Sequence, residues 1–280
     1  TCFGIAFISV GLAARIRYPI LFIIAFSLFS ILLGSSPSYG NPGAIYTPEI
    51  WGKFPAGNFW VVFAVFFPAV TGVLAGVNLS GTLEKPRRSI PTGTIAAIMV
   101  SYVVYISLAY WTSRVATPAE LINNFTVMVE KAAFGWAIQA GILAATFSAA
   151  LNSLVGAPRI LQAMAQHDVV PFGNFLAQET AVGEPHNAMY ITGAIGIATL
   201  LFGLGGNGLN KIAPLMTMFF LITYAVLNGV VLLEQSLKLT SFRPSLRISR
   251  FVSLTGLVGA IIAMLLINPL FSLVAFVVTF

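Results

Sequence analysis

Apolar positions in this chain come in long runs, and polar positions fill short gaps between them. The runs fall at about residues 3–13, 18–34, 59–83, 91–112, 134–157, 188–204, 211–233, 251–268 and 270–280. Seven of them have the length a helix needs to cross a bilayer, and the first and last are partial. Runs this long, without the strict alternation of a half-buried strand, predict an all-α polytopic membrane protein. The chain starts at Thr1 and stops at Phe280 inside apolar runs, so an interior piece of a longer protein is expected.

The gaps carry their own signals. Residues 35–57, rich in Ser, Pro, Gly and Tyr, read as irregular. Segment 117–132 places Glu120 three residues after Thr117, the spacing of a capping box, and predicts a short surface helix. Pro158 is expected to start a separate helix over 158–167, followed by a polar loop through Pro185.

One run is broken. Residues 66–81 read FFPAVTGVLAGVNLSG, so Pro68, Thr71, Gly72, Gly76 and Asn78 interrupt the middle of the 59–83 span. Unpaired backbone groups are costly in hydrocarbon, so a break there is tolerated where it lines a cavity or a bound ion. Interrupted spans of this kind mark the binding sites of secondary transporters. A kinked span with small residues for helix packing is the plainer alternative.

Composition agrees with the membrane reading. The chain is 58% hydrophobic and 8% charged, against about 25% charged in soluble domains. The formal net charge of +6 is a matter of topology rather than of nucleic-acid binding. Ten Lys and Arg residues fall on one side of the alternating loops and four on the other, which accounts for all fourteen. The richer side, with Arg15, Arg17, Lys85, Arg87, Arg88 and Arg159 among its residues, is cytoplasmic by the positive-inside rule. A single cysteine, Cys2, excludes an internal disulfide and a cysteine-based metal site.

None of the eight acidic residues, nor His167 or His186, lies within the middle of a span. Acid–base catalysis and a buried proton relay therefore lack their side chains, and no enzyme is expected. Backbone groups, hydroxyls and helix ends remain as ligands. At the break, the carbonyls near Pro68 and the Thr71 hydroxyl suit a bare cation such as K⁺. The N–H groups of Gly72, Val73 and Leu74 suit an anion, as at other helix N-termini. Chloride and a substrate carboxylate fit those amides equally well. Span 134–157 offers Thr146, Ser148, Asn152 and Ser153, either as Na⁺ ligands or as interhelical hydrogen bonds. Span 211–233 carries Pro214, Thr217, Tyr224 and Asn228. The Tyr224 hydroxyl can donate to an anion or to a neighbouring helix.

Four blocks together resemble the cation-chloride cotransporters, the family of sodium-potassium-chloride and potassium-chloride symporters. They are FFPAVTGVLAGVNLSGTLEKPRRSIPTGT (66–94), LNSLVGAPRILQAMAQHDVVPF (151–172), IAPLMTMFFLITYAVLNGVVLLEQSL (212–237) and SFRPSLR (241–247). The resemblance implies the inverted-repeat fold of the amino acid-polyamine-cation superfamily, covered here from its fourth to its twelfth transmembrane helix. It implies that Pro68 and Thr71 bind potassium, and that Gly72, Val73, Leu74 and Tyr224 bind chloride. Ala145, Ser148 and Ala149 fall at the sodium site. Sodium-coupled members have two adjacent serines where this chain has Ser148–Ala149, so the resemblance leaves sodium coupling open.

The expected function is symport of chloride with potassium, with or without sodium, by alternating access and without a cofactor. The partners are inorganic ions and membrane lipid, together with the homodimer usual in the family. Nucleic acid is not expected. The short 113–133 connection suggests a bacterial or archaeal plasma membrane. An amino acid or organic-cation permease of the same superfamily is the second reading, and a non-transporting regulatory subunit the third.

Overall fold

The computed structural model describes residues 10–34, 48, 58–72, 76, 83–180, 184–204, 208–237, 244 and 248–279. Among them are eleven α-helices and one 3-10 turn, with no strand. The helices are α1 (Val10–Gly34), α2 (Phe59–Phe66), α3 (Pro86–Val115), α4 (Pro118–Asn123), α5 (Val127–Lys131), α6 (Gly135–Gln166), α7 (Gly173–Leu176), α8 (His186–Phe202), α9 (Gly208–Leu237), α10 (Arg250–Ile267) and α11 (Pro269–Thr279). The 3-10 turn, Phe67–Val70, continues α2.

Four of these, α3, α6, α9 and α10, are each long and apolar enough to cross a membrane. Residues 18–34, α2 with its turn, and α8 are shorter apolar helices. Large apolar side chains stay exposed along the long helices, such as Met99, Val100, Tyr102 and Val103 on α3. In water such a surface would be a liability, whereas lipid tails cover it. The chain is an integral, multi-pass membrane protein of all-α architecture.

The residues divide into two compact units. The first comprises Thr1–Trp51 and Met99–Thr199. Its centre is the pairing of α1 with α6. Small residues permit the approach: a methyl group added to Gly141 would lie 2.5 Å from Cβ of Ser27. Ser30 fastens the end of α1 to the start of α6. Its buried hydroxyl donates to the Phe134 carbonyl at 3.1 Å and accepts the Phe134 N–H at 2.8 Å. The Ser30 carbonyl takes the Ala133 N–H at 3.1 Å. Gly34 lies so close beneath this connection that an added Cβ would meet Cα of Ala132 at 2.7 Å. Ile31, Trp111 and Ile138 form the buried cluster beside it.

The 117–132 segment is two short helices, α4 and α5, rather than one. Thr117 caps α4 as its spacing predicts. The Thr117 hydroxyl accepts the Glu120 N–H at 3.3 Å, and the Glu120 carboxylate accepts the Thr117 N–H at 2.8 Å. Asn124 then leaves helical geometry, and its Oδ1 accepts the N–H of Thr126 at 2.9 Å, which separates α4 from α5.

Pro158 does not start a new helix. The α6 helix runs through it to Gln166, with the proline ring buried. The end comes ten residues after the proline, at Asp168, whose φ of 55° is left-handed. The Asp168 N–H returns to the Ala165 carbonyl at 3.2 Å and the Val169 N–H to that of Met164 at 3.0 Å. These are the two hydrogen bonds of a Schellman stop, with Asp in the place usually taken by Gly.

The second unit comprises Gly52–Ile98 and Leu200–Phe280. Helices α9 and α10 form its centre, and α2 and α11 pack on them. The core is Met218, Leu221, Ile222 and Ala225 of α9 with Ala260, Ala263 and Met264 of α10 and Ala275 of α11. Trp60, Phe63 and Phe67 lay the aromatic face of α2 against it. Asn268 separates α10 from α11: its Oδ1 accepts the N–H groups of Leu270 and Phe271, and Pro269 takes the first helical position.

Candidate functional site

The site is built from the end of α2. Asn58 starts that helix, its side chain accepting the Val61 N–H at 3.1 Å. Eight residues later the α-helix stops. Pro68 has no N–H to return to the carbonyl four residues back, and its ring crowds the same turn. The backbone tightens into the 3-10 turn Phe67–Val70, then leaves helical geometry at Thr71 with φ −83° and ψ 176°. At Gly72 φ reaches +107°, a left-handed value that side-chain-bearing residues rarely adopt. Helix α2 and its 3-10 turn therefore end where Pro68, Thr71 and Gly72 stand, within the 59–83 run.

Pro68 and Thr71 meet directly. The Thr71 N–H donates to the Pro68 carbonyl at 3.3 Å, and the Thr71 hydroxyl donates to the same oxygen at 2.6 Å. Two oxygens are thus gathered at the helix end, one carbonyl and one hydroxyl, both only partly buried. A cation approaching them would be met by the negative end of the α2 dipole. The hydroxyl proton, now spent on the carbonyl, would have to rotate away. Gly72 is exposed beyond them. Val73 and Leu74 lie outside the described residues, as does Asn78.

Tyr224 lies on α9, which packs against both α2 and the 3-10 turn. Its ring stands edge-on to Phe67, the residue before Pro68, with centroids 6.3 Å apart and planes at 76°. Tyr224 therefore flanks the break through the Phe67 ring. One helical turn on, Asn228 donates its side-chain N–H to the Tyr224 carbonyl at 2.8 Å. The Asn228 side chain sits so close to Gly256 of α10 that a Cβ there would meet Oδ1 at 2.6 Å. Two turns before Tyr224, the Thr217 hydroxyl donates to the Ala64 carbonyl of α2 at 2.6 Å. Thus Pro68, Thr71, Gly72 and Tyr224 are all in the second compact unit.

Ala145, Ser148 and Ala149 are in the first unit, on α6. Their spacing of three and four residues puts them on one helix face. Thr146 points its hydroxyl back along its own helix, to the Ile142 carbonyl at 2.8 Å. Among the described residues, no group of three or more His, Cys, Asp or Glu could hold a metal ion.

Two tertiary partnerships escaped the sequence reading. Ser30 with Phe134 gave no signal, since serines in apolar spans are common. The Ala64 carbonyl gave half a signal: counting four back from Pro68 identifies it as lacking its usual donor, but nothing in the sequence pairs it with Thr217.

Comparison with known proteins gives concordant findings. Residues 4–280 match the family described as Amino acid permease. The chain is 33% identical over 236 residues to "Solute carrier family 12 member 8" of Mus musculus, covering 80% of this chain and 33% of that protein. It is 33% identical over 282 residues to "Solute carrier family 12 member 1" of Homo sapiens, covering 86% of this chain and 25% of that protein. It is 36% identical over 215 residues to "Potassium/chloride cotransporter 3" of Caenorhabditis elegans, covering 73% of this chain and 19% of that protein. The chain thus spans a third or less of the length of these relatives.

Proposed function

Because this chain belongs to the amino acid permease family, we propose that the full-length protein moves chloride together with potassium across a membrane by alternating access. The observation that carries the proposal is the pair of oxygens on Pro68 and Thr71 at a helix end that Tyr224 flanks through Phe67. Carbonyl and hydroxyl oxygens replace the hydration shell of a potassium ion. The amides beyond Thr71, those of Gly72, Val73 and Leu74, with the Tyr224 hydroxyl, offer donors to chloride. Opposite charges held a few ångströms apart in a low-dielectric site attract strongly, so each ion raises the affinity for the other. One relative supports the choice of ions: the protein named "Potassium/chloride cotransporter 3", which matches over 73% of this chain.

Sodium is the second variable. Ser148 brings one hydroxyl to the Ala145–Ala149 face, where a sodium site would need further oxygens. Rubidium uptake by the full-length protein in proteoliposomes, with and without chloride and with and without sodium, tests both parts. Uptake that requires chloride is expected. Uptake indifferent to chloride would overturn the proposal and favour the second reading, an amino acid permease that puts a substrate carboxylate on the same amides. The family description gives that reading its support.

The finer assignments belong to the same proposal. They are a register from the fourth to the twelfth transmembrane helix, a homodimer, and a bacterial or archaeal plasma membrane. The last is suggested by the compact 113–133 connection.

A further inference from the structure

Pro68 removes one hydrogen bond from α2, and we infer that Thr217 replaces it, which makes Thr217 a positioning residue for the ion site at the break. In an uninterrupted helix the Ala64 carbonyl would accept the N–H of residue 68. Proline has none. The neighbouring N–H, that of Phe67, is spent on the Phe63 carbonyl. Ala64 is 1% exposed, so bulk water does not reach its carbonyl, and a buried carbonyl without a donor is costly. The Thr217 hydroxyl, on a residue that is itself fully buried, fills the vacancy at 2.6 Å from α9.

Other threonines in these helices behave differently. Thr112, Thr146, Thr192, Thr199 and Thr223 each donate to the carbonyl four residues back in their own helix. Thr217 instead crosses to a carbonyl 153 residues away in sequence. Its placement follows from the arithmetic of two helices. Ala64 is one turn before Pro68, and Thr217 is two turns before Tyr224 on the same face of α9. One hydrogen bond therefore fixes the height of the Pro68–Gly72 break against the helix that carries Tyr224. The Phe67–Tyr224 ring contact is the second point of attachment. The functional half of this inference rests on the ion-site reading above; the structural half does not.

The test uses the full-length protein in lipid nanodiscs and proteoliposomes. Its variants are Thr217→Val, Thr217→Ser, Pro68→Ala and the double change Thr217→Val with Pro68→Ala. Thr217→Val keeps the shape and loses the hydroxyl. It should speed amide exchange of residues 69–72 about tenfold and raise the half-saturating rubidium and chloride concentrations several-fold, with little change in maximal flux per folded transporter. Thr217→Ser should restore both to within about twofold, because the donor is back. In the Pro68→Ala background residue 68 regains its N–H, so Thr217→Val should change exchange by about twofold or less. An effect of Thr217→Val that is equally large in both backgrounds would overturn the shared-carbonyl relationship. Faster exchange with unchanged half-saturation would overturn the positioning role. Should uptake prove independent of chloride while the exchange coupling holds, the bond stands and the ion-site reading falls.

Discussion

The ring of Tyr224 packs edge-on against Phe67, one residue before the proline that ends the α2 helix. Ring and hydroxyl have separable roles here. The ring attaches α9 to the 3-10 turn, and the hydroxyl is the proposed anion donor. Tyr224→Phe keeps the first and removes the second. The half-saturating chloride concentration should rise about 10- to 150-fold, equivalent to about 1.5–3 kcal/mol for a lost hydrogen bond to a charged group. Thermal unfolding of the full-length protein in detergent should be nearly unchanged. An unaltered chloride affinity would remove Tyr224 from the anion site.

Gly72 is needed for its backbone and not for its small size. Its φ of +107° is strained for any residue with a Cβ, while among the described residues an added Cβ would meet nothing within 4 Å. Gly72→Ala should therefore cost about 1–2 kcal/mol at the break through conformation alone. Ion affinity, read from rubidium uptake at graded concentrations, should fall by a similar factor for Gly72→Ala and Gly72→Ser. A much larger loss for the larger side chain would mean that crowding, rather than backbone strain, sets the requirement.

Ser30→Ala tests the fastening of α1 to the start of α6. The change leaves the Phe134 N–H without the hydroxyl that now accepts it, in a place where Ser30 is fully buried. The cost should be about 1–3 kcal/mol, visible as a lowered midpoint of thermal unfolding. Affinity for the ions should change less than stability does, because the contact belongs to the unit that excludes Thr71 and Tyr224.

The α4 cap should weaken in acid. The Thr117 N–H, with help from its hydroxyl, holds the Glu120 carboxyl below its ordinary value of 4.5, and Lys131 at 3.9 Å adds a smaller pull. The folded state binds this proton less readily than the unfolded one. Its contribution is therefore fully present above about pH 4.5 and is lost as pH falls below that value. Amide protection over residues 118–131, corrected for the intrinsic pH dependence of exchange, should drop across that window. In Glu120→Gln the drop should shrink to what Glu130 contributes, since hydrogen bonds from Thr126 and Asn124 hold that carboxyl low as well.

Much of the architecture was legible before any coordinates. Long apolar runs in a chain with few charges can satisfy their backbone in lipid only as helices, so the α-helical class followed from composition and run length. Pro68, Thr71 and Gly72 marked the end of α2 because each acts within its own turn: a missing N–H, a hydroxyl that returns to the carbonyl three residues back, a permitted positive φ. Thr117 with Glu120 was readable for the same reason, since a capping box closes within four residues. Where the reading of Pro158 failed, burial decided. A proline lowers helix stability locally, but packing of α6 carried the helix through it to a stop that Asp168 makes in a conformation usually left to glycine.

What the sequence determined by itself is therefore local: the helices, their caps and the place where one of them breaks. The tertiary structure alone decided which distant groups complete them. Ser30 reaches Phe134 across 104 residues, and Thr217 reaches Ala64 across 153. A hydroxyl in an apolar helix can turn to its own backbone or to a neighbour's at similar energetic cost. The packing of α9 on α2 sets which of the two Thr217 takes, because it brings the buried Ala64 carbonyl, which Pro68 cannot serve, within bonding distance of the hydroxyl.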